Sequence, residues 1–285
     1  MGGSVCSLAM GKWDVWGTYN SNRPGTEGVN WLPMDLRDPQ SVRSALEAAG
    51  PDLTIHTAAI ADIDVCEENP QLAWSTNHVG TRLVAREASR QGSRLVHIST
   101  SNVFDGERGH YSEVDPTGGT SVYSRSKISA EREVLGIEGT LVVRNSIVLG
   151  FPKISGRSFL LRTVSELEEG RSVGFPTGEI RTPIDSWTLA SSILELGRSD
   201  LDGIYHVAGT EALSRYEMGL KIAEKAGCDP ALVKPIANPP SKRAPRPLDA
   251  SLDTAKARAV LEIDLPDCSE ALDRAFRFAL SARSS

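Results

Sequence analysis

The run Tyr123-Ser124-Arg125-Ser126-Lys127 sets a phenol and an amine four residues apart. On a helix that spacing brings both side chains to one face. An ammonium beside a phenol favours the phenolate and lowers the tyrosine pKa from its ordinary value of ~10. Such a pair can exchange a proton with a ketone or an alcohol near neutral pH. Upstream, Ser99-Thr100 closes an apolar run, and strand ends in open α/β sheets are where ligands sit. A hydroxyl there can hydrogen-bond an oxygen on which charge develops during reduction. Alone, the Tyr-x-x-x-Lys spacing also fits an exposed surface pair, and Thr100 also fits a hydroxyl bonding its own turn. Together they favour chemistry.

These side chains need a scaffold that holds a helix against a strand end. Short continuous apolar runs at 13–18, 31–34, 53–56, 94–99, 141–144 and 203–207 predict strands. Amphipathic stretches near 39–49, 70–91, 121–135, 158–169, 185–196, 214–226, 254–261 and 268–280 predict helices. Continuous rather than alternating apolar strands point to a parallel sheet buried on both faces, a Rossmann-like doubly wound α/β fold. Loops are expected at 151–157 and at the proline-punctuated Asn238-Pro239-Pro240. Residues 1–150, with 185–208 returning to them, form the predicted doubly wound part; 151–184 and 209–285 form a smaller region, the natural place for substrate specificity.

Composition excludes several alternatives. With 40% hydrophobic and 24% charged residues the chain is globular rather than disordered or fibrous. A net charge of −6 supplies no broad positive field for nucleic acid or an anionic membrane, so any anion must be caught locally. Cys6, Cys66, Cys228 and Cys268 lack metal spacing and read as thiols of a reducing cytoplasm. No metal site is expected. No apolar stretch approaches the ~18 residues of a membrane span. The start at Met1 lacks the charged, apolar pattern of a signal peptide. Cys6 stands where a myristoylation signal needs Ser or Thr. His56, His97 and His206 fall in predicted strands and read as core histidines.

The run from Arg94 through Thr100 to Gly106, then Tyr111-x-Glu113-x-Asp115-Pro116, then Tyr123-x-x-x-Lys127, resembles the extended short-chain dehydrogenase/reductases. Within them it is most similar to the dTDP-4-dehydrorhamnose reductase branch of sugar-nucleotide reductases. Asp35-Leu36, Ala58-Ala59, Asn77, Arg144, Arg246-Pro247 and Ser251-Leu252-Asp253-Thr254 extend the likeness along nearly the whole chain. The resemblance implies Thr100 as the hydroxyl that holds the carbonyl, Tyr123 as general acid and Lys127 as its support, with Lys127 also on the nicotinamide ribose. It implies that Asp35 and Leu36 edge the adenine, that Ala58 and Ala59 line the dinucleotide with Asn77 nearby, and that Thr100, Asn102 and Tyr123 meet the sugar. An arginine near the end of the second strand accommodates the NADP phosphate; Arg23, with no acid beside it in Tyr19-Asn20-Ser21-Asn22-Arg23, favours NADP over NAD.

The chain departs from the family at its start. A first strand and a Gly-x-x-Gly-x-x-Gly turn would carry the pyrophosphate at a helix N-terminus, whereas here Gly2 matches the third glycine alone. The expectation is that the recorded start is internal and that upstream residues carry the first strand. Ser101-Asn102 replaces the usual Asp-Tyr, Ile147 replaces an aromatic, and Thr177-Gly178-Glu179-Ile180-Arg181-Thr182-Pro183 replaces the usual segment there. All three changes fall where the resemblance puts the sugar pocket. The expected function is NADP-dependent reduction of a nucleotide-activated 4-keto-6-deoxy sugar for cell-envelope polysaccharide, with a homodimer as the expected assembly. Nucleotide-sugar epimerisation is the enzymatic alternative. A dinucleotide-binding regulatory subunit like that of methionine adenosyltransferase is the alternative without turnover.

Overall fold

The computed structural model describes residues 1–152, 158–237 and 244–281. Asn238-Pro239-Pro240 and most of the loop expected at 151–157 lie outside them. Helix α1 (Gly2–Ala9) precedes β1 (Trp16–Tyr19) and β2 (Asn30–Pro33); α2 (Pro39–Ala49) leads to β3 (Leu53–His56). Helices α3 (Ile63–Glu68), α4 (Pro70–Ala73) and α5 (Thr81–Arg90) precede β4 (Arg94–Thr100), and α6 (Val122–Leu135) precedes β5 (Leu141–Asn145). Then come β6 (Val148–Leu149), α7 (Phe159–Glu168), β7 (Val173–Pro176), β8 (Ile180–Arg181), β9 (Ile184–Asp185), α8 (Ser186–Arg198) and β10 (Gly203–His206). The chain ends with β11 (Leu213–Ser214), α9 (Arg215–Ala226), β12 (Val233–Ile236), α10 (Ala255–Arg258) and α11 (Cys268–Ser281).

Four parallel strands in the order β10-β5-β4-β3 form the central sheet. Leu95, Val96, Leu141, Val142 and Val143 are all buried within it. Helices α5 and α6 cover one face and α8 the other, with α1 packed on α8. That is the doubly wound arrangement the continuous apolar runs imply. Strands β1 and β2 pair in parallel with each other as a separate two-stranded piece. The sheet is therefore in two parts, and a cavity of about 770 Å³ reaches both β1 and β3. The C-terminal elements build their own core around Leu160, Phe175, Met218, Ile222 and Leu272.

Local chemistry sets the element ends. Asp38 caps α2 by accepting from Gln40 N–H, Pro39 follows it, and Gly50 closes the helix in the left-handed region at φ 52°. Ser214 and Glu217 form a reciprocal capping box on α9. The first strand begins later than the expected 13–18, because Asp14 holds the entry as a turn by accepting from Trp16 Nε1 and Asn30 Nδ2, each at 3.0 Å. The helix expected over 70–91 is broken by a π-helical turn at Trp74–Gly80. Gly80 there lies so close to Leu36 that a Cβ would sit 2.9 Å from Leu36 Cβ, and π turns commonly mark functional positions.

Ile193 of α8 is fully buried against the central sheet, so Ile193→Ala should cost ~2–5 kcal/mol through lost contacts and a residual cavity. Urea unfolding checks this; a loss below ~1 kcal/mol would mean that the layer collapses around the gap.

Candidate active site

Thr100 is the last residue of β4, and its hydroxyl accepts from Asn102 N–H at 3.2 Å and from Asn102 Nδ2 at 3.1 Å. The tight turn Ser101–Val103 that follows is clamped from outside, since the Gly118 and Gly119 N–H groups both donate to Val103 O. Only glycine fits at 119, where a Cβ would lie 2.3 Å from Asn102 O. Asn102 Oδ1 and Ser101 Oγ are buried and have no hydrogen-bond partner among the described residues.

Tyr123 lies in the first turn of α6, which Ser121 caps by accepting from Ser124 N–H. The phenol is 7% exposed and stands beside the Thr100 hydroxyl. Burial pushes its pKa up to about 12, and the Thr100 hydrogen bond only partly offsets this. This corrects the expected lowering by Lys127. The Lys127 ammonium instead donates to Ile98 O at 2.7 Å and lies 3.0 Å from His97 Nε2. At neutral pH the phenol keeps its proton, which is the form a proton donor needs.

Burial also lowers the Lys127 pKa, to about 8, against the opposing pull of Glu131 one turn further along α6. His97 is held well below its ordinary range by burial and by Lys127, so its neutral Nε2 accepts from the ammonium. His97 stacks on His56 at 5.4 Å, and His56 Nε2 lies 3.1 Å from Thr81 Oγ1. His56, His97 and His206 are all buried core residues, as read from the sequence.

The sequence reading missed Glu131. Its carboxylate takes Arg144 Nε at 3.0 Å and Nη2 at 2.7 Å in a pair 3–4% exposed. The signal was present, because Tyr123, Lys127 and Glu131 repeat at intervals of four on one helix face. That bidentate fork fastens α6 to β5. The Arg144 guanidinium also lies over the Phe104 ring at 5.1 Å, and Phe104 stacks on Tyr111 at 4.2 Å.

The residues expected around a dinucleotide fall in two groups. Gly2, Thr57 and Ala58 meet at one end of the 770 Å³ cavity, and a Cβ on Gly2 would come within 2.9 Å of Thr57 Oγ1. Ala59 follows on the same loop, whose next residue is pinned by Asn77. The Asn77 amide accepts from Ile60 N–H at 2.8 Å and donates to Ile60 O at 3.0 Å and Ser126 Oγ at 3.2 Å. Asn77 is fully buried and ties this loop to α6. Further off, the Asp35 carboxylate takes Arg37 Nε at 3.0 Å and Nη2 at 2.7 Å, which holds its pKa down to about 2. Leu36 packs into the core on the α2 side, and Arg23 is exposed on the loop after β1. The four cysteines are free thiols.

Lys127 gives the fold a pH dependence with a definite sign. It loses its proton near pH 8 when folded and near 10.5 when unfolded. Between those values the unfolded chain binds more protons, so this lysine makes stability rise with pH and makes no further difference above the window. Lys127→Met should remove that rise between pH 8 and about 9.5, read as the urea midpoint. An unchanged slope would assign the titration to another group.

Comparison with known proteins agrees with this geometry. Residues 9–280 match the family model for the RmlD substrate binding domain. The probable low-salt glycan biosynthesis reductase Agl14 of Haloferax volcanii is 31% identical over 92% of this chain and 90% of its own length. The methionine adenosyltransferase 2 subunit beta of Xenopus tropicalis is 29% identical over 87% of this chain and 75% of its own. A solved hypothetical dTDP-4-dehydrorhamnose reductase from Sulfolobus tokodaii superposes with TM-score 0.83 at 33% identity, covering 92% of each chain. The dTDP-4-dehydrorhamnose reductase of Bacillus anthracis, solved with NADP, gives TM-score 0.81 at 26% identity over 88% of this chain and 90% of that one. With a phenol, a hydroxyl and a lysine gathered at the carboxyl end of a doubly wound sheet, and a family match over most of its length, the chain belongs to the RmlD substrate-binding domain family of the extended short-chain dehydrogenase/reductases.

Proposed function

We propose that this chain is a cytoplasmic NADP-dependent reductase of a nucleotide-activated 4-keto-6-deoxy sugar. The observation that carries the reading is Tyr123, a phenol kept protonated by burial beside the Thr100 hydroxyl at the carboxyl end of β4. The residues present suit a dinucleotide. Met1 makes no side-chain cap on α1, so the first backbone N–H groups of that helix are open to an anion, and Gly2 lets Thr57 approach. Arg23 is exposed on the loop after β1 with no acid beside it, which supports NADP over NAD. Ala58 and Ala59 would line the ring system, with Asn77 holding their loop in place. When bound, the reduced nicotinamide supplies the hydride.

The chain's own residues supply the rest. Thr100 hydrogen-bonds the sugar carbonyl oxygen and Tyr123 gives it a proton, a contribution of ~10²–10⁴-fold for a well-placed general acid. Lys127, a cation one turn along α6, restrains the phenolate left behind. Asn102, on the turn after Thr100, is the further residue expected to meet the sugar. Residues 1–150 and 185–208 hold the cofactor in this scheme, and 151–184 with 209–285 hold the sugar nucleotide. The relationship to a subunit of methionine adenosyltransferase supports a second reading, cofactor binding without turnover.

An assay of NADPH and NADH oxidation against dTDP-4-keto-6-deoxyhexoses separates the two. Turnover is expected, faster with NADPH, and Tyr123→Phe should lower kcat by ~10²-fold or more while leaving NADPH affinity within about threefold. Arg23→Ala should weaken NADPH more than NADH. Cofactor binding with no oxidation by any keto sugar would favour the regulatory reading, and full activity in Tyr123→Phe would remove that residue from the acid's role.

A further inference from the structure

Lys127 is held to β4 by two acceptors of different kinds. Its ammonium donates to Ile98 O at 2.7 Å, a backbone group that any residue at 98 would offer, and lies 3.0 Å from His97 Nε2, which only that side chain supplies. An ammonium donates and accepts nothing, so Nε2 must hold a lone pair and the single imidazole proton sits on Nδ1. His97 Nδ1 is buried and has no hydrogen-bond partner among the described residues. Turning an acceptor towards Lys127 thus leaves one buried donor unsatisfied. An apolar side chain in so deeply buried a strand would avoid that cost. Space-filling alone does not account for a histidine at 97.

The ring is also wedged in place. His97 is fully buried and pairs in register with His56 of β3, whose ring it meets at 5.4 Å and 27°. His56 has its own anchor on α5: Thr81 Oγ1 donates to Asn77 O at 2.7 Å, so it accepts from His56 Nε2 at 3.1 Å. The two imidazoles are opposite tautomers, each fixed by one neighbour. Burial holds both below their ordinary range, His56 down to about 3, and the Lys127 charge adds to the effect on each. Neither ring takes a proton from Lys127 near neutral pH. The other ionisable groups on the elements packed around the ammonium are Tyr123 and Glu131 on α6, Arg144 of β5 bound to Glu131, and Cys66 of α3 packed with Tyr123.

We propose that His97 is a positioning residue for Lys127: a neutral imidazole, braced by His56, that accepts from the ammonium through Nε2 and so fixes where that charge stands relative to Tyr123. Ile98 O and His97 Nε2 take two of the three ammonium N–H bonds, which leaves one for the site. Without His97 the side chain keeps a single tether and loses an acceptor that favours its charged form. The consequence for turnover rests on the reductase reading; the contact itself does not.

The test is NMR of the unaltered chain, His97→Leu and His97→Gln, with lysine labelled at Cε and histidine at its ring nitrogens. In the unaltered chain His97 should show the Nδ1–H tautomer from about pH 6 through the Lys127 midpoint, a readout that needs no variant to fold. His97→Leu, which has no acceptor, should lower that midpoint by about one unit, a roughly tenfold loss of proton affinity. His97→Gln, whose carbonyl can stand in for Nε2, should bring it back to within about 0.3 units. With NADPH and a dTDP-4-keto-6-deoxyhexose, the alkaline limb of the kcat profile should move by the same intervals while KM for NADPH stays within about twofold. An Nε2–H tautomer in the unaltered chain, an unmoved midpoint in His97→Leu, or an equal drop in both variants would overturn the proposal and leave His97 a packing residue. Failure of the unaltered chain to oxidise NADPH would count against the reductase reading alone, with the tautomer and the midpoints still deciding the role of His97.

Discussion

Placing charge inside a dry helix–sheet interface is the constraint on which the rest of this structure turns. Helix α6 sets Lys127 and Glu131 one turn apart on a face that packs against β4 and β5. An unpaired charge in that position would cost several kcal/mol, so each must find a partner. Glu131 takes the fork of Arg144 on β5, and Lys127 takes Ile98 O and His97 on β4. These bonds fix the height and rotation of α6. Tyr123, one turn earlier, has no independent choice of position and is delivered to the end of β4, beside Thr100.

Burial and catalysis are linked through the same contacts. The environment that pushes Tyr123 up to about 12 pulls Lys127 down to about 8. Both shifts have desolvation as their leading cause, and both disfavour charge. Tyr123 therefore keeps its proton near neutral pH, the form the proposed reduction needs. The adjoining turn is held both by the Thr100 hydroxyl, which accepts from Asn102 N–H and Nδ2, and by the 118–119 amides that donate to Val103 O.

Much of this was legible in the residues. The continuous apolar runs located all six strands of the two sheet pieces, and the Tyr-x-x-x-Lys spacing with Ser99-Thr100 picked out residues that the fold brings together at the carboxyl end of β4. What stayed hidden depends on contacts between distant segments. The π turn at Trp74–Gly80 reflects Asn77 reaching Ile60 and Gly80 meeting Leu36, which no helical periodicity encodes. The later start of β1 depends on Asp14 meeting Asn30. The sign of the Tyr123 shift was misread for the same reason: spacing puts Lys127 on the correct face, but only packing shows that its ammonium is committed to His97 and Ile98.

The central claim is that hydride passes from a reduced cofactor to a keto sugar while this chain supplies the proton. Tracing the hydrogens tests it most directly, using NADPH deuterated on the transferring face of its nicotinamide, a dTDP-4-keto-6-deoxyhexose in ordinary water, and NMR of the sugar product. The account predicts an alcohol carrying one deuterium on the former carbonyl carbon. A sugar that keeps its ketone and inverts a neighbouring carbon, with no deuterium from NADPH, would contradict it and identify an epimerase instead.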